Sequence, residues 1–324
     1  MHPPTNEPAW QGVSVIDVIG APVWVAVWRI VRAARRNDVL ILNGAARFPW
    51  RYRDFIAALV IARMRRPPAV LFTEATWDWT IQPLERLKGR AGGALRALMR
   101  GALRAFDGPH VVYCVLSDAE RETFRARFGV PEERVVVTRF PYTLFDAPPT
   151  TDGGYVFAGG DSRRDYAPVL AAARGMDRRF VIATRLELDA VPPNVEARGT
   201  SPEEFAELQS AAGAVVVALD PRSRCSAGQQ SFLNAMLQAK PTVVIDALGV
   251  REYVEDGVDG WVVPPDDPEA LRARLEWIFE DGNRDAVAQV VKRGPEVVLG
   301  RFNPEQYWWA VRRAAEAAVR RATD

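Results

Sequence analysis

Gly228-Gln229-Gln230-Ser231 stands directly before a helical pattern at Ser231–Ala239. A glycine there lets the backbone come close to an anion, and the N–H groups that follow point at it, so the segment has the chemistry of a phosphate cradle. The same residues also suit an ordinary capped loop with Ser231 as the cap. A second glycine loop, Gly159–Tyr166 (GGDSRRDY), carries Arg163 and Arg164. A guanidinium can grip phosphate oxygens through two parallel bonds, and the competing use of Arg164 is an ion pair with Asp165 or another surface acid. Two further groups follow apolar, β-branched runs. Asn43, Gly44, Arg47, Trp50 and Arg51 lie in LILNGAARFPWRYRD, and Glu74, Trp77 and Asp78 lie in AVLFTEATWDW. Tryptophan faces stack on sugar rings and carboxylates hydrogen-bond sugar hydroxyls, but Trp77 and Trp79 suit core packing equally well.

Ligands of parallel sheets collect outside the C-terminal strand ends, so these groups require strand–loop–helix units to carry them. The chain supplies the pattern. Strands are predicted at Val13–Ile19, Val39–Leu42, Ala69–Thr73 and His110–Leu116, with helices at Val23–Arg35, Arg51–Met64, Ile81–Phe106 and Asp118–Phe128. Ser117 to Glu120 has the form of a capping box, and Gly129 with Pro131 supplies the stop. Ala147–Gly154 (APPTTDGG) reads as a linker. Strands then recur at Tyr155–Ala158, Phe180–Ala183, Val195–Ala197, Ala214–Ala218, Thr242–Ile245 and Gly260–Val263. The helices between them are Pro168–Arg174, Pro202–Ala211, Ser231–Ala239 and Pro268–Glu280. A last helix, Pro304–Ala322, carries Trp308 and Trp309, which point apart, one to its own domain and one to a neighbouring surface. Alternating strands and helices predict an α/β chain of two Rossmann-like parallel-sheet domains. The first covers 1–146, the second 147–303, and the final helix, 304–324, packs near the domain interface.

Length and composition agree. A chain of 324 residues with 48% hydrophobic and 26% charged residues is that of a globular protein with two cores. The net charge of +1 offers no field for nucleic acid, yet residues 1–146 carry a net +7 and the remainder −6, which suits an anionic neighbour for the first half or ordinary surface variation. Two cysteines make no disulfide framework, and two histidines at this spacing make no zinc site. No secretory leader is legible in MHPPTNEPAW, and Gly20–Pro22 splits the apolar stretch Val13–Val31 into strand and helix. The expected location is the cytoplasm, including its membrane face. The predicted helix 81–106 is basic and leucine-rich, which suits a peripheral membrane contact or a solvated face of a core helix.

The segment CSAGQQSFLNAMLQAKPTVVIDALGVREYVEDGVDGWVVPPDDPEAL, from Cys225, resembles the retaining group 1 (family 4) glycosyltransferases of the GT-B fold. Weaker similarities lie in VYCVLSDAERETFRARFGVPEERVVVTRFPY, in FAGGDSRRDYAPVL and in SPEEFAELQSAAGAVVVAL, so the resemblance runs from about residue 110 to 282. It implies two domains facing across a cleft, with an abbreviated first domain. The implied reaction moves a sugar from a nucleotide-diphosphate sugar to a sugar, polysaccharide or lipid-linked acceptor, with retention and no metal or other cofactor. The diphosphate site would comprise Gly160, Arg163, Arg164, Gly228, Gln229, Gln230 and Ser231.

The family's paired glutamates fall here on Ser226 and Asn234, where Asn234 would meet the ribose hydroxyls without charge assistance, and Glu252 matches the family glutamate that faces the site. Glu74 stands where the family often has a histidine and is the candidate catalytic group. Asn43, Gly44, Arg47, Trp77 and Asp78 would form the acceptor side. The altered glutamate pair leaves two alternatives open, a degenerate nucleotide-binding or scaffold protein and a nucleotide-sugar epimerase on the same fold.

Overall fold

The computed structural model describes residues 16, 18, 20–43, 51–77, 97, 101, 103–146, 148 and 150–323. The chain divides into two compact units, one of residues 1–139 with 308–324 and one of residues 140–307.

The first unit is built on α1 (Val23–Ala34), β1 (Val39–Asn43), α2 (Arg51–Ile61), β2 (Ala69–Thr73), β3 (Val111–Val115), α3 (Asp118–Phe128) and β4 (Val135–Val137). Among the described residues its four strands pair in parallel in the order β1-β2-β3-β4. Every residue of β2 and β3 is buried, as expected of parallel strands covered on both faces. Cys114, inside β3, is a core residue whose thiol is pushed up to about 12 by burial. α1 opens at Pro22 after a turn at Gly20, and α3 opens on the expected cap. Ser117 Oγ accepts the Glu120 N–H at 3.0 Å, while the Glu120 carboxylate accepts from Leu116 N–H at 2.8 Å, one residue earlier than the usual reciprocal bond. Gly129, at φ 70°, ends the helix.

The second unit holds β5 (Val156–Gly159), α4 (Ala167–Arg174), β6 (Phe180–Ala183), β7 (Val195–Arg198), α5 (Pro202–Ser210), β8 (Ala214–Val217) and α6 (Gln229–Leu237). It continues through β9 (Thr242–Ile245), β10 (Trp261–Val263), α7 (Pro268–Phe279) and α8 (Arg284–Arg301). All six strands are parallel, in the order β10-β9-β8-β5-β6-β7. The order therefore reverses between β5 and β8, where a doubly wound sheet opens a crevice above its C-terminal ends. The last helix, α9 (Pro304–Thr323), begins in the second unit and runs into the first. Trp308 is buried and Trp309 is 38% exposed.

Two elements go beyond the sequence reading. β4 is only three residues long, too short for an alternating pattern to show. α8 contains Gly294, Pro295 and Gly300, residues that ordinarily break a helix. Gly294 has a reason: a Cβ there would sit 2.9 Å from the Met236 carbonyl oxygen, so its absence lets α8 approach α6 closely. Of the strand expected at Val13–Ile19, only Ile16 and Val18 are described, and neither is in a strand. The expected helix 81–106 lies largely outside the described residues, with 97, 101 and 103–106 helical. Among the described residues, no helix is long and apolar enough to cross a membrane.

Asp54, in the first turn of α2, is 5% exposed beside Arg53 at 3.1 Å. Burial pushes its carboxyl up to about 6, against the pull of Arg53. A folded-state value above the ordinary carboxylate range favours the protonated form on folding. That contribution is fully present below about pH 4 and is lost as pH rises through about 6. Asp54→Asn is therefore expected to stabilise the protein by about 2 kcal/mol at pH 8 and to leave it unchanged at pH 4, read from urea unfolding at the two pH values.

Candidate functional site

The C-terminal ends of β5, β8 and β9, neighbours in the second sheet, carry most of the residues singled out in the sequence. The loop after β5 begins with Gly160 at φ 111° and passes through Arg163 at φ 59°. A non-glycine residue in the left-handed region is held there by its surroundings. Those surroundings are the neighbouring loop: Arg163 O accepts from Asp220 N–H at 3.0 Å, Asp165 N–H donates to Ala218 O at 3.1 Å, and Arg164 bridges to Leu219. The loop is also tied to the end of β6. Tyr166 Oη donates to Gly160 O at 2.7 Å, and Thr184 Oγ1 donates to Asp161 Oδ1 at 2.9 Å. Burial pushes the Tyr166 phenol up to about 12, so it stays a donor.

The two arginines do different things. Arg163 is 7% exposed and reaches Ser223 Oγ at 3.4 Å in the loop after β8. Arg164 donates to Gly159 O at 3.1 Å, to Ser162 O at 2.9 Å and to Ser231 Oγ at 2.9 Å. Its guanidinium packs against Gly160, where a Cβ would meet Nη2 at 3.0 Å. Burial pulls its pKa down, partly opposed by Tyr166 and Asp161, but a guanidinium keeps its charge. The expected ion pair with a surface acid is taken by another residue, Arg222, which pairs with Asp220 at 2.8 Å and Asp165 at 3.2 Å.

α6 begins two residues earlier than its sequence pattern indicates, with Gly228 rather than Ser231 at the cap. Gly228 is left-handed at φ 83°, and a Cβ on it would meet Leu219 Cδ2 at 2.7 Å. Gln229, Gln230 and Ser231 are thus the first three helical residues. A helix cannot satisfy the N–H groups of its own opening turn, and here the Ser231 N–H bends back to Gly228 O at 2.8 Å. The Ser231 hydroxyl accepts from Arg164 instead of capping, which sets a guanidinium against the positive end of the helix. The structure therefore brings Gly160, Arg163, Arg164, Gly228, Gln229, Gln230 and Ser231 to one place.

Other expectations fall differently. Asn234 is on α6, but its amide is closed onto Thr143: Oδ1 accepts the Thr143 N–H at 3.0 Å and Nδ2 donates to Thr143 Oγ1 at 3.0 Å. It thereby holds the segment entering the second unit, together with Tyr253 Oη on Phe140 N–H and Phe302 O on Tyr142 N–H. The amide expected to meet ribose hydroxyls bonds Thr143 here, a partner that no local pattern around Asn234 announces. Ser226 is buried in the loop before α6, and Glu252 is half-buried in a 3₁₀ turn after β9, next to the left-handed Gly249.

In the first unit, Asn43 ends β1 exposed and pairs in register with Thr73, the residue before Glu74, so both groups stand at the C-terminal end of that sheet. Glu74 is held at φ 50°, and burial pushes its carboxyl upward. Trp77, expected on the acceptor side, is core. It is 2% exposed and packs on Phe55, Phe72 and Tyr113 with ring centroids 4.9–5.3 Å apart. Gly44, Arg47 and Asp78 lie outside the described residues.

The chain is similar to several known proteins. Residues 163–281 match the family described as glycosyl transferases group 1. WcaL of Salmonella typhimurium, a candidate colanic acid biosynthesis glycosyltransferase, is 36% identical over 75 residues, 23% of this chain and 18% of the relative. That match spans less than a fifth of the relative's length. Among solved structures, HepE of Anabaena with UDP-glucose aligns at a TM-score of 0.65 and 16% identity, covering 90% of this chain and 80% of that one. Sucrose-phosphate synthase of Thermosynechococcus elongatus aligns at 0.64 and 15% identity, covering 93% and 79%. A glycosyltransferase of Rickettsia africae aligns at 0.63 and 10% identity, covering 94% and 84%. Residues 163–281, which include Arg163, Arg164 and the Gly228 cap, are thus similar to the group 1 glycosyl transferases, and the chain that carries them has two parallel-sheet α/β units with the GT-B fold.

Proposed function

We propose that this protein is a glycosyltransferase that moves a hexosyl group from a nucleotide-diphosphate sugar, with retention, to a polysaccharide or lipid-linked acceptor. One observation carries the reading: the Arg164 guanidinium and the start of α6, which has no side-chain cap, meet where the strand order reverses. A diphosphate leaving group gains negative charge as the glycosidic bond breaks, and a fixed cation beside a helix N-terminus stabilises that charge without reorganising. In this reading the two supply the countercharge that a metal supplies elsewhere. Gly160 and Gly228 admit the phosphates to the backbone, Gln229 and Gln230 offer N–H groups, and Arg163 holds the second loop in place. Glu252 and Ser226 line the sugar side. Asn43 and Glu74 serve the acceptor side, with Glu74 the candidate catalytic group. HepE, solved with UDP-glucose, supports a nucleotide-sugar donor, and the name of WcaL supports a polysaccharide product.

The amide of Asn234, engaged by Thr143, favours a second reading, a nucleotide-binding protein without turnover. Thermal unfolding against UDP, GDP, ADP and dTDP tests the shared part. One of them is expected to add about 2.7 kcal/mol at a hundred times its Kd. Arg164→Ala, with Arg164→Lys as the milder variant, is expected to weaken that nucleotide about 10–100-fold, the worth of one charge-assisted bond. The absence of any nucleotide response would overturn both readings. Release of sugar from the bound donor, by transfer or slow hydrolysis, selects the first over the second.

Asn234→Ala separates the ribose from the main-chain role. It is expected to cost about 1–2 kcal/mol of stability and to leave nucleotide affinity within about twofold, whereas a ribose ligand would show a larger loss of affinity.

A further inference from the structure

α1 presents an exposed outer face. Its buried residues, Ala26, Ile30 and Ala34, form one stripe. On the opposite side Trp24 is 75% exposed and Trp28 is 56% exposed, one turn apart. Arg29, Arg32, Arg35 and Arg36 follow them, all exposed, and no acidic residue occurs from Val23 to Arg36. The Arg32 guanidinium lies 5.1 Å over the Trp28 ring. α2 packs against α1 and repeats the composition. Ile56 and Val60, again one turn apart, are 40% and 43% exposed, and the exposed Arg63, Arg65 and Arg66 follow. Asp54, the acid on α2, is buried.

From this face we infer that α1 and the outer side of α2 dock the protein onto an anionic lipid bilayer. The chemistry of the face selects that partner. Tryptophan and arginine together suit the boundary of a bilayer, the indole in the headgroup layer and the guanidinium on lipid phosphate. A helix of 12 residues is too short to span and must lie in the plane, as its two-sided burial requires. Seven exposed arginines against a single exposed acid on this stretch, Asp38, complement a negative surface, where each basic side chain strengthens binding about fivefold. A second protein copy would meet a like-charged face. The inference does not rest on the donor-site reading, since its residues belong to the first unit and the nucleotide loops to the second.

Flotation of the full chain with vesicles tests it. The wild type is expected to float with phosphatidylcholine vesicles containing phosphatidylglycerol at about 0.1 M salt, not with pure phosphatidylcholine, and to be released as salt approaches about 1 M. Trp24→Ser with Trp28→Ser, and separately Arg32→Glu with Arg35→Glu, are each expected to weaken partitioning about tenfold or more while leaving thermal unfolding and nucleotide response unchanged. Failure of the wild type to float with anionic vesicles would overturn the inference, as would flotation that both double variants retain. So would light scattering that shows a dimer which the tryptophan variant dissociates, because the face would then belong to a second copy.

Discussion

The bond from the Arg164 guanidinium to the Ser231 hydroxyl joins two residues 67 positions apart in the chain. It exists because β8 returns to lie beside β5, which turns the loops after those strands into neighbours. Several other features depend on that neighbourhood. Arg163 holds a left-handed backbone because Asp220 and Ser223 bond it from the opposite loop. Gly228 cannot carry a side chain because Leu219 of its own loop, held by the bridge to Arg164, fills the space. The meeting of these groups is thus a product of sheet topology, with one cation fixed at the start of a helix that has no acidic residue in its first turn.

Much of this was legible in the sequence. Alternating apolar runs and amphipathic stretches gave nearly all the strands, because parallel strands buried on both faces read as unbroken runs such as Val156–Gly159 and Thr242–Ile245. Ser117 and Gly129 located the ends of α3 because capping chemistry is local. Legibility failed where the deciding partner is distant. Trp77 has the same appearance whether it faces a ligand or a core, and only the aromatic residues of α2, β2 and β3 decide the matter. Asn234 gave no hint of Thr143, 91 residues away. α8 stayed hidden because the glycine that disrupts its pattern is the residue that lets it touch Met236.

Asn234 also belongs to a wider set of bonds. Its two bonds to Thr143 belong to a series that includes Tyr253 on Phe140, Phe302 on Tyr142 and the Lys240 ammonium on the Thr151 carbonyl, 2.5 Å away. The series ties the chain's entry into the second unit to residues on and beyond α6. A carboxylate at 234 could accept the Thr143 N–H but has no N–H to return to its hydroxyl. The side chain present therefore suits the entry segment as well as it suits any ligand.

α9 gives the first unit a broken sequence: residues 1–139 form most of it, and 308–324 complete it. Its inward stripe, Trp308, Val311, Ala314 and Ala318, is buried. During synthesis the second unit, a continuous stretch, can close as soon as it has left the ribosome, whereas the first must wait for the last helix. At roughly 5–20 residues per second, the last helix follows residue 139 by roughly ten to forty seconds. The half made first is thus the half finished last.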